Sequence, residues 1–493
     1  MKSKLNIFYV SSEVFPFTKA TELGEVSSAL PKYLKQMGHD IRVMMPNYKT
    51  INERKYILRD VIRLQGLEIK IGDKVFQADG KSAFIPDSKV QIYFLDNKEL
   101  FDTDGLNLYN NASGRHKDNL DRYIFFSIGC LETLKLLHWQ PDIIHCNNWQ
   151  TALIPLLLKS VYGDDPFFKN SRTLLSIHDF AQQGNFDTST MKKAGIPEPF
   201  LNGKDFNFLE AGIKYADMLN TVSESYACEA QENSALSFGL EKVLKERKNE
   251  FFGIANRIDQ QVWNPETDSL IPFTYSRQDL SGKYKNKKEL LERFALDGDE
   301  KTPVISTISP LVYEKGIDLI IEIIDDLMKI DLRLIVSGIG DEKYQKNLRV
   351  LQKKYPKKIG LDFSLDNSLV HLIEAGSDLF LMPSQLEPGG LNQLYSLTYG
   401  TIPIVRNTGG LGETVKKFES EAKTKTGTGF VFNKFKAKEL LSEIKNALKH
   451  FNNEETWGKL IQNAMKIDFS WKSSAPQYVK LYQKLLSTKS KKK

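Results

Sequence analysis

From end to end, short apolar runs alternate with helix-length amphipathic segments, and this alternation constrains the fold more than any other feature. Residues 5–11 read as a buried strand. Residues 23–37 follow as a helix, with Leu23, Val26, Leu30 and Leu34 on one face and Gly38 as a stop signal. Strands are expected at 41–45, 90–95, 142–146, 173–177 and 218–222, several of them separated by helical patterns such as 120–137 and 149–162. A second series begins near residue 303. Its strands are expected at 304–309, 332–337, 379–383, 402–405 and 428–432, and its helices at 317–328, 342–354, 391–399 and 437–450. Strands alternating with helices imply right-handed βαβ units, hence parallel sheets covered on both faces. A single core rarely grows past about 250–300 residues, so a chain of 493 residues is expected to form two α/β, doubly wound, Rossmann-like domains. The boundaries read as 1–262 for the first domain and 289–470 for the second, with a C-terminal helix and basic tail over 471–493. The stretch 263–288, rich in Pro, Asp, Ser and Lys, reads as the interdomain connection. Open α/β sheets bind ligands at the carboxyl ends of their strands, so the active site is expected in the cleft between the domains.

Composition narrows the function. No stretch approaches the roughly 20 apolar residues of a membrane span, and the N-terminus MKSKLNIFYVSSEVFP lacks a signal peptide's apolar region and cleavage site. Cys130, Cys146 and Cys228 are widely spaced, without CxxC, which argues against a disulfide framework or a zinc knuckle. A cytoplasmic protein with no membrane partner is the expectation. The net charge of +6 falls to +2 once the four lysines of the terminal KSKKK are set aside, so composition gives no case for nucleic acid, and the tail reads as a solvated terminus. Asp102-Thr103-Asp104 imitates a metal-binding DxD, but it lies in the polar stretch LFDTDGLN and reads as a turn. No phosphate-binding GxxxxGK[ST] loop is present.

The most informative stretch is Pro383-Ser-Gln-Leu-Glu-Pro-Gly-Gly-Leu-Asn-Gln-Leu394. A buried strand ends at a proline, Glu387 is presented in a turn, and Gly389-Gly390 opens a helix at Leu391. Glycine-rich backbone N–H groups at a helix start bind anions, phosphates above all. An acid beside such a nest could hold a sugar hydroxyl while the nest holds a diphosphate. A structural connector with a solvated glutamate is the other reading, and spacing does not separate the two. A turn-borne acid of this kind should matter more to turnover than to stability.

At this point the chain resembles the bacterial glycogen synthases and plant starch synthases, retaining glycosyltransferases of GT-B architecture. The resemblance covers about residues 5–482. It rests on SSEVFPFTK (11–19), ALPKYLKQMGHDIRVMMPNY (29–48), DIIHCNNWQTALIP (142–155), SIHDFAQQGNF (176–186) and NFLEAGIKYADMLNTVSESYA (207–227), then EKGIDLI (314–320), the long block 375–415 and TGTGFVF (426–432). It implies transfer of glucose from ADP-glucose to the non-reducing end of an α-1,4-glucan, with the anomeric configuration kept and no metal or other cofactor. The partners it implies are a nucleotide sugar and an α-glucan; the oligomeric state stays open. Carried over by position, Lys19 and Lys315 match lysines that contact the donor diphosphate. His178 matches a histidine near the transferred glucose, although it ends an apolar strand and also reads as a core histidine. Glu387 matches the acid on the glucose hydroxyls. Gly24, Gly389, Gly390, Leu391 and Asn392 fall in the donor-binding turns, and Asn256 matches an asparagine of the interdomain loop.

The departures lie at the phosphate. The family's loop K-T-G-G-L-G-D reads here Lys19-Ala20-Thr21-Glu22-Leu23-Gly24-Glu25, so two glycines have become Thr21 and Glu22. An arginine ahead of the second lysine is Pro310, which removes a bidentate phosphate donor. An aspartate is Asn148, a glycine is Arg257, and a cysteine is Gly389. Arg257 is a candidate for the missing arginine charge. These substitutions predict weakened donor binding and leave a second reading open, a catalytically weak or inactive glucan-binding or regulatory paralogue.

Overall fold

A computed structural model describes residues 4–102, 108–111, 114–115, 119–201, 203–364, 366–419 and 426–487. Of the Asp102-Thr103-Asp104 turn only Asp102 is described, paired with Lys49 at 3.4 Å; Thr103, Asp104 and the tail 489–493 lie outside the described residues. Two compact units emerge, one from residues 1–256 with 471–493, the other from 257–470.

The first unit's parallel strands are β1 (Asn6–Val10), β2 (Asp40–Pro46), β3 (Gln91–Asp96), β4 (Ile143–Asn147), β5 (Arg172–Ile177), β6 (Met218–Thr221) and β7 (Phe251–Gly253). They lie side by side in the order β3-β2-β1-β4-β5-β6-β7. An antiparallel strand, Lys74–Phe84, extends the β3 edge. Helix α1 (Glu22–Gln36) follows β1, burying Leu23, Val26, Leu30 and Leu34 as its periodicity predicts.

The second unit holds β8 (Val304–Ile308), β9 (Arg333–Ser337), β10 (Ile359–Asp362), β11 (Leu379–Met382), β12 (Ile402–Arg406) and β13 (Phe430–Phe432). All pair in parallel, in the order β10-β9-β8-β11-β12-β13. Both β8 and β9 are buried along their whole length, as strands covered on two faces must be. Helix α2 (Ile317–Leu327) follows β8, α3 (Asn392–Thr398) follows β11 and α4 (Gly409–Thr414) follows β12. In each sheet the strand order reverses between the first and fourth parallel strands. In doubly wound sheets that switch point is where a ligand-binding crevice opens, at the strands' carboxyl ends.

Three boundaries differ from the sequence reading, the first by six residues: the long segment of the first unit ends at 256, not 262. Residues 263–288 are part of the second unit. Trp263 is buried between the rings of His371 and Tyr395, with centroids 3.9 and 3.7 Å away. Asp268 accepts from Tyr399 and bonds His371 at 2.6 and 2.7 Å, and the helix Ser281–Arg293 buries Leu290 and Leu291. The polar composition of this stretch serves buried hydrogen bonds and turns. The C-terminal helix α5 (Trp471–Ser487) belongs to the first unit, where its Tyr482 hydroxyl bonds His145 Nδ1 at 2.8 Å and Asn220 donates to the Tyr478 hydroxyl at 3.2 Å.

Candidate active site

In the second unit, Lys315 and Glu387 come from the two strands that flank the switch point. The chain leaves β8, makes a short turn over Tyr313–Lys315 and enters α2 through Gly316, whose φ of 72° suits glycine. The turn after β11 docks on this one through Gln385 N–H, which donates to Glu314 O at 2.8 Å. Lys315 Nζ thereby reaches both oxygens of Glu387, at 2.8 and 2.7 Å. Ser384 adds a hydroxyl donor to the same carboxylate at 3.1 Å. The Glu387 side chain is 4% exposed against 23% for Lys315, so the acid is not the solvated turn residue of the connector reading. A buried carboxylate needs this pairing, because an unpartnered one would be costly.

The turn beyond Glu387 is fixed from two sides. Gly410 N–H, in α4, donates to Glu387 O and Pro388 O at 3.2 and 3.1 Å. Asn392 at the start of α3 donates its amide to Ile308 O at 2.6 Å, and Gln393 donates to Gly389 O and Gly390 O at 3.0 and 3.1 Å. The segment Gly389-Gly390-Leu391 is thus held at the end of β11, beside the end of β8.

In the first unit, the loop after β1 carries Lys19. Its Nζ donates to Glu25 on the first turns of α1 at 2.8 Å, and Lys19 remains 39% exposed. Gly24 lets the lysine stem lie against the helix, since a Cβ at that position would meet Lys19 Cα, Cβ and Cγ at 3.3 Å. His178 follows β5. Its backbone N–H donates to Asn148 Oδ1 at 2.7 Å and its Nε2 bonds Asn147 Oδ1 at 3.1 Å. Asn147 Nδ2 donates to Val10 O at 3.0 Å, which fixes the amide so that its oxygen faces the imidazole. His178 must therefore carry its proton on Nε2, leaving Nδ1 as an acceptor, and that Nδ1 is buried without a hydrogen-bond partner among the described residues. Burial also pushes the imidazole down to a pKa of about 4, so it is neutral around pH 7. Asn256, after β7, is buried with its side-chain oxygen likewise unpartnered.

Comparison with known proteins now decides the family. Residues 6–246 match the starch synthase catalytic domain, and residues 289–466 match the glycosyl transferases of group 1. A glycogen synthase from Chlorobaculum parvum is 39% identical over 484 residues, which cover 97% of this chain and 98% of the relative. A second, from Thermotoga petrophila, is 39% identical over 494 residues, 98% of this chain and 99% of that one. The chain belongs to the glycogen and starch synthase family. The catalytic domain of starch synthase IV from Arabidopsis thaliana, bound to ADP and acarbose, has a TM-score of 0.91 at 28% identity, covering 99% of this chain and all of that one. Sucrose-phosphate synthase from Thermosynechococcus elongatus shares the fold, with a TM-score of 0.59 at 15% identity. The two doubly wound units are the GT-B fold of the synthase family.

Within that family the departures acquire physical roles. Thr21 is the N-cap of α1, its hydroxyl accepting from Leu23 N–H at 3.2 Å, and Glu22 places a negative charge in the first turn, where the helix dipole favours it. Asn148 has a φ of 56° with a ψ of −176°, a conformation that ordinarily only glycine adopts, and it supplies a neutral acceptor to His178 N–H. Burial lowers the pKa of the Arg257 guanidinium, and the negative charges of Glu413 and Asp468, in the same unit, partly offset this. Sequence reasoning missed Glu13, Glu25, Asn147 and Ser384. All four lay in stretches that already carried a signal: Glu13 in SSEVFPFTK, Glu25 in the Lys19 loop, Asn147 in DIIHCNNWQTALIP and Ser384 beside Pro383.

Proposed function

We propose that this protein transfers glucose from ADP-glucose to the non-reducing end of an α-1,4-glucan with retention of configuration. The observation that carries this reading is the Lys315–Glu387 pair at the carboxyl ends of β8 and β11, in a chain that aligns over its whole length with glycogen synthases. In this reading, Lys315 and Lys19 meet the negative charge of the departing diphosphate, which develops as the glycosidic bond breaks. An ammonium has three N–H donors, so Lys315 can serve a phosphate oxygen while still holding Glu387. Glu387, ionised in that pair, accepts from hydroxyls of the transferred glucose. His178 presents its Nδ1 lone pair to another sugar hydroxyl, and backbone N–H groups of Gly390, Leu391 and Asn392 face the phosphates.

Incubation with radiolabelled ADP-glucose and glycogen, with labelled UDP-glucose in parallel, tests the proposal. Label should enter the precipitated polymer from ADP-glucose. Absence of label from both donors would leave the catalytically inactive reading; label from UDP-glucose alone would replace the donor.

A further inference from the structure

A carboxylate outside the residues assigned above sits under the loop that carries Lys19. Glu13 is fully buried and accepts four hydrogen bonds. Its Oε2 takes the backbone N–H groups of Ala20 and Thr21 at 2.6 and 2.8 Å. Its Oε1 takes the hydroxyls of Thr21 and Tyr109 at 2.8 and 2.7 Å. Tyr109 is set in turn by Ser12, whose hydroxyl lies 2.8 Å from the phenol. Glu13 is itself fixed, since its backbone N–H donates to Ser11 Oγ at 3.3 Å and its carbonyl accepts from the same hydroxyl at 2.8 Å. Ser27 of α1 donates to Ser11 at 2.9 Å.

The residues latched by this carboxylate are the two that immediately follow Lys19. One of them is Thr21, which replaces a glycine of the family's loop. A glycine would supply the backbone N–H but no hydroxyl, so the threonine adds a second attachment to Glu13 while capping α1. All four groups donate, which suits an ionised carboxylate and leaves none of its partners facing another donor. Elsewhere the loop is held by the Lys19–Glu25 contact, by Phe15 N–H donating to Gly24 O at 2.9 Å, by Tyr56 donating to Pro16 O at 2.9 Å and by the buried Phe17 ring. Among these only the Lys19–Glu25 contact involves residues 19–21, where Glu13 binds.

We propose that Glu13 is a positioning residue, which together with the Thr21 hydroxyl holds the Lys19 loop in its donor-binding conformation before a nucleotide arrives. The inference rests on the assignment of Lys19 to the donor diphosphate. The latch keeps a flexible segment from having to order when the donor binds, and that ordering would otherwise be subtracted from affinity.

Four variants, Lys19→Ala, Glu13→Gln, Thr21→Val and Thr21→Ser, separate the possibilities when ADP affinity is measured by calorimetry and steady-state kinetics are run for donor and glycogen. Thr21→Val removes only the hydroxyl from an exposed side chain, so it should fold even if Glu13→Gln does not. Loss of one bond to a charged group corresponds to about a tenfold effect or more. Thr21→Val and Glu13→Gln should therefore weaken ADP and raise the donor KM about tenfold, with the glycogen KM within twofold of wild type, and Thr21→Ser should restore both. If Lys19→Ala loses ADP affinity while Thr21→Val keeps it, the latch is overturned and the donor assignment stands. If Lys19→Ala itself binds ADP like wild type, the donor assignment of Lys19 falls and the inference with it. An equal decline in donor and glycogen parameters that tracks a lowered Tm would reduce Glu13 and Thr21 to a purely structural role.

Discussion

At the scale of single residues, Glu387 shows how the environment changes what a substitution will do. Its carboxylate is buried and held by Lys315 and Ser384, so it contributes to stability as well as to the proposed chemistry. Glu387→Gln keeps the volume but weakens two charge-assisted contacts. We expect turnover to fall about 10- to 100-fold, and urea denaturation to show a loss of about 1–3 kcal/mol. Unchanged transfer would remove the acid from the mechanism. His178 gives a pH prediction. Its pKa is pushed down to about 4 by burial, and that of His145 to about 3 by burial and then by the nearby His178. An unfolded histidine titrates near 6.5. Between about 6.5 and the folded value the unfolded chain therefore binds protons that the fold excludes, so each imidazole contributes stability that is fully present above pH 6.5 and is lost as pH falls towards about 4 for His178 and about 3 for His145. Each contributes a slope of about 1.4 kcal/mol per pH unit. In NMR spectra of histidine-labelled protein, the His145 and His178 ring signals should stay fixed from pH 8 to 5.5. Movement of the His178 signal centred near 6.5 would mean that its Nδ1 is solvated and that the acceptor role derived for it fails.

At the scale of elements, the start of α1 combines helix physics with the donor loop. Thr21 caps the helix and Glu22 and Glu25 fill its first turn, where negative charge is favourable. Returning both positions to the family's glycines, by Thr21→Gly with Glu22→Gly, removes the cap, the bond to Glu13 and a first-turn charge, and frees two backbone units in the unfolded chain. The sum is about 1–3 kcal/mol, expected as a drop in Tm by calorimetry. A double variant as stable as wild type would show that the loop does not depend on this cap. Elements of this kind were legible to the degree that their pattern was regular. The periodicity of 23–37 gave α1 within a residue at each end, and the apolar runs gave β1, β8, β9 and β11. The strand β10, Ile-Gly-Leu-Asp, left no signal because it has four residues, two of them without an apolar side chain, and lies on a sheet edge. The pattern over 149–162 resolved into a short turn at Trp149–Thr151 and a helix at Leu153–Lys159. There the chain must first bend through Asn148, whose positive φ no periodicity reports. Lys315 and Glu387 were legible through their motifs, whereas their mutual pairing was not, since residues 72 positions apart meet only through parallel neighbours β8 and β11.

At the scale of the whole molecule, the two units divide the chain in a way that can be tested by excision. The second unit is one continuous segment, 257–470, and its ends meet: Ile258 N–H donates to Phe469 O at 3.0 Å and Ile258 forms a bridge with Ser470. It has its own six-stranded sheet and its own core around Trp263. The first unit is discontinuous and needs α5, which buries Trp471, Tyr478, Leu481, Tyr482 and Leu485. Without α5, His145 would lose the Tyr482 hydroxyl and Asn220 the Tyr478 hydroxyl, leaving buried polar groups unpaired as well as an apolar face uncovered. Each large side chain removed from such a site costs about 3–5 kcal/mol, so losing several exceeds the 5–15 kcal/mol that a domain typically holds. A fragment of residues 257–470 should therefore unfold cooperatively in urea, with dispersed NMR signals. A fragment of residues 1–256 should be unfolded or aggregated by itself, and should acquire a cooperative transition when a peptide of residues 471–487 is added. A folded 1–256 fragment would show that α5 merely decorates the first unit. A 257–470 fragment without a cooperative transition would show that the second unit's core is insufficient by itself.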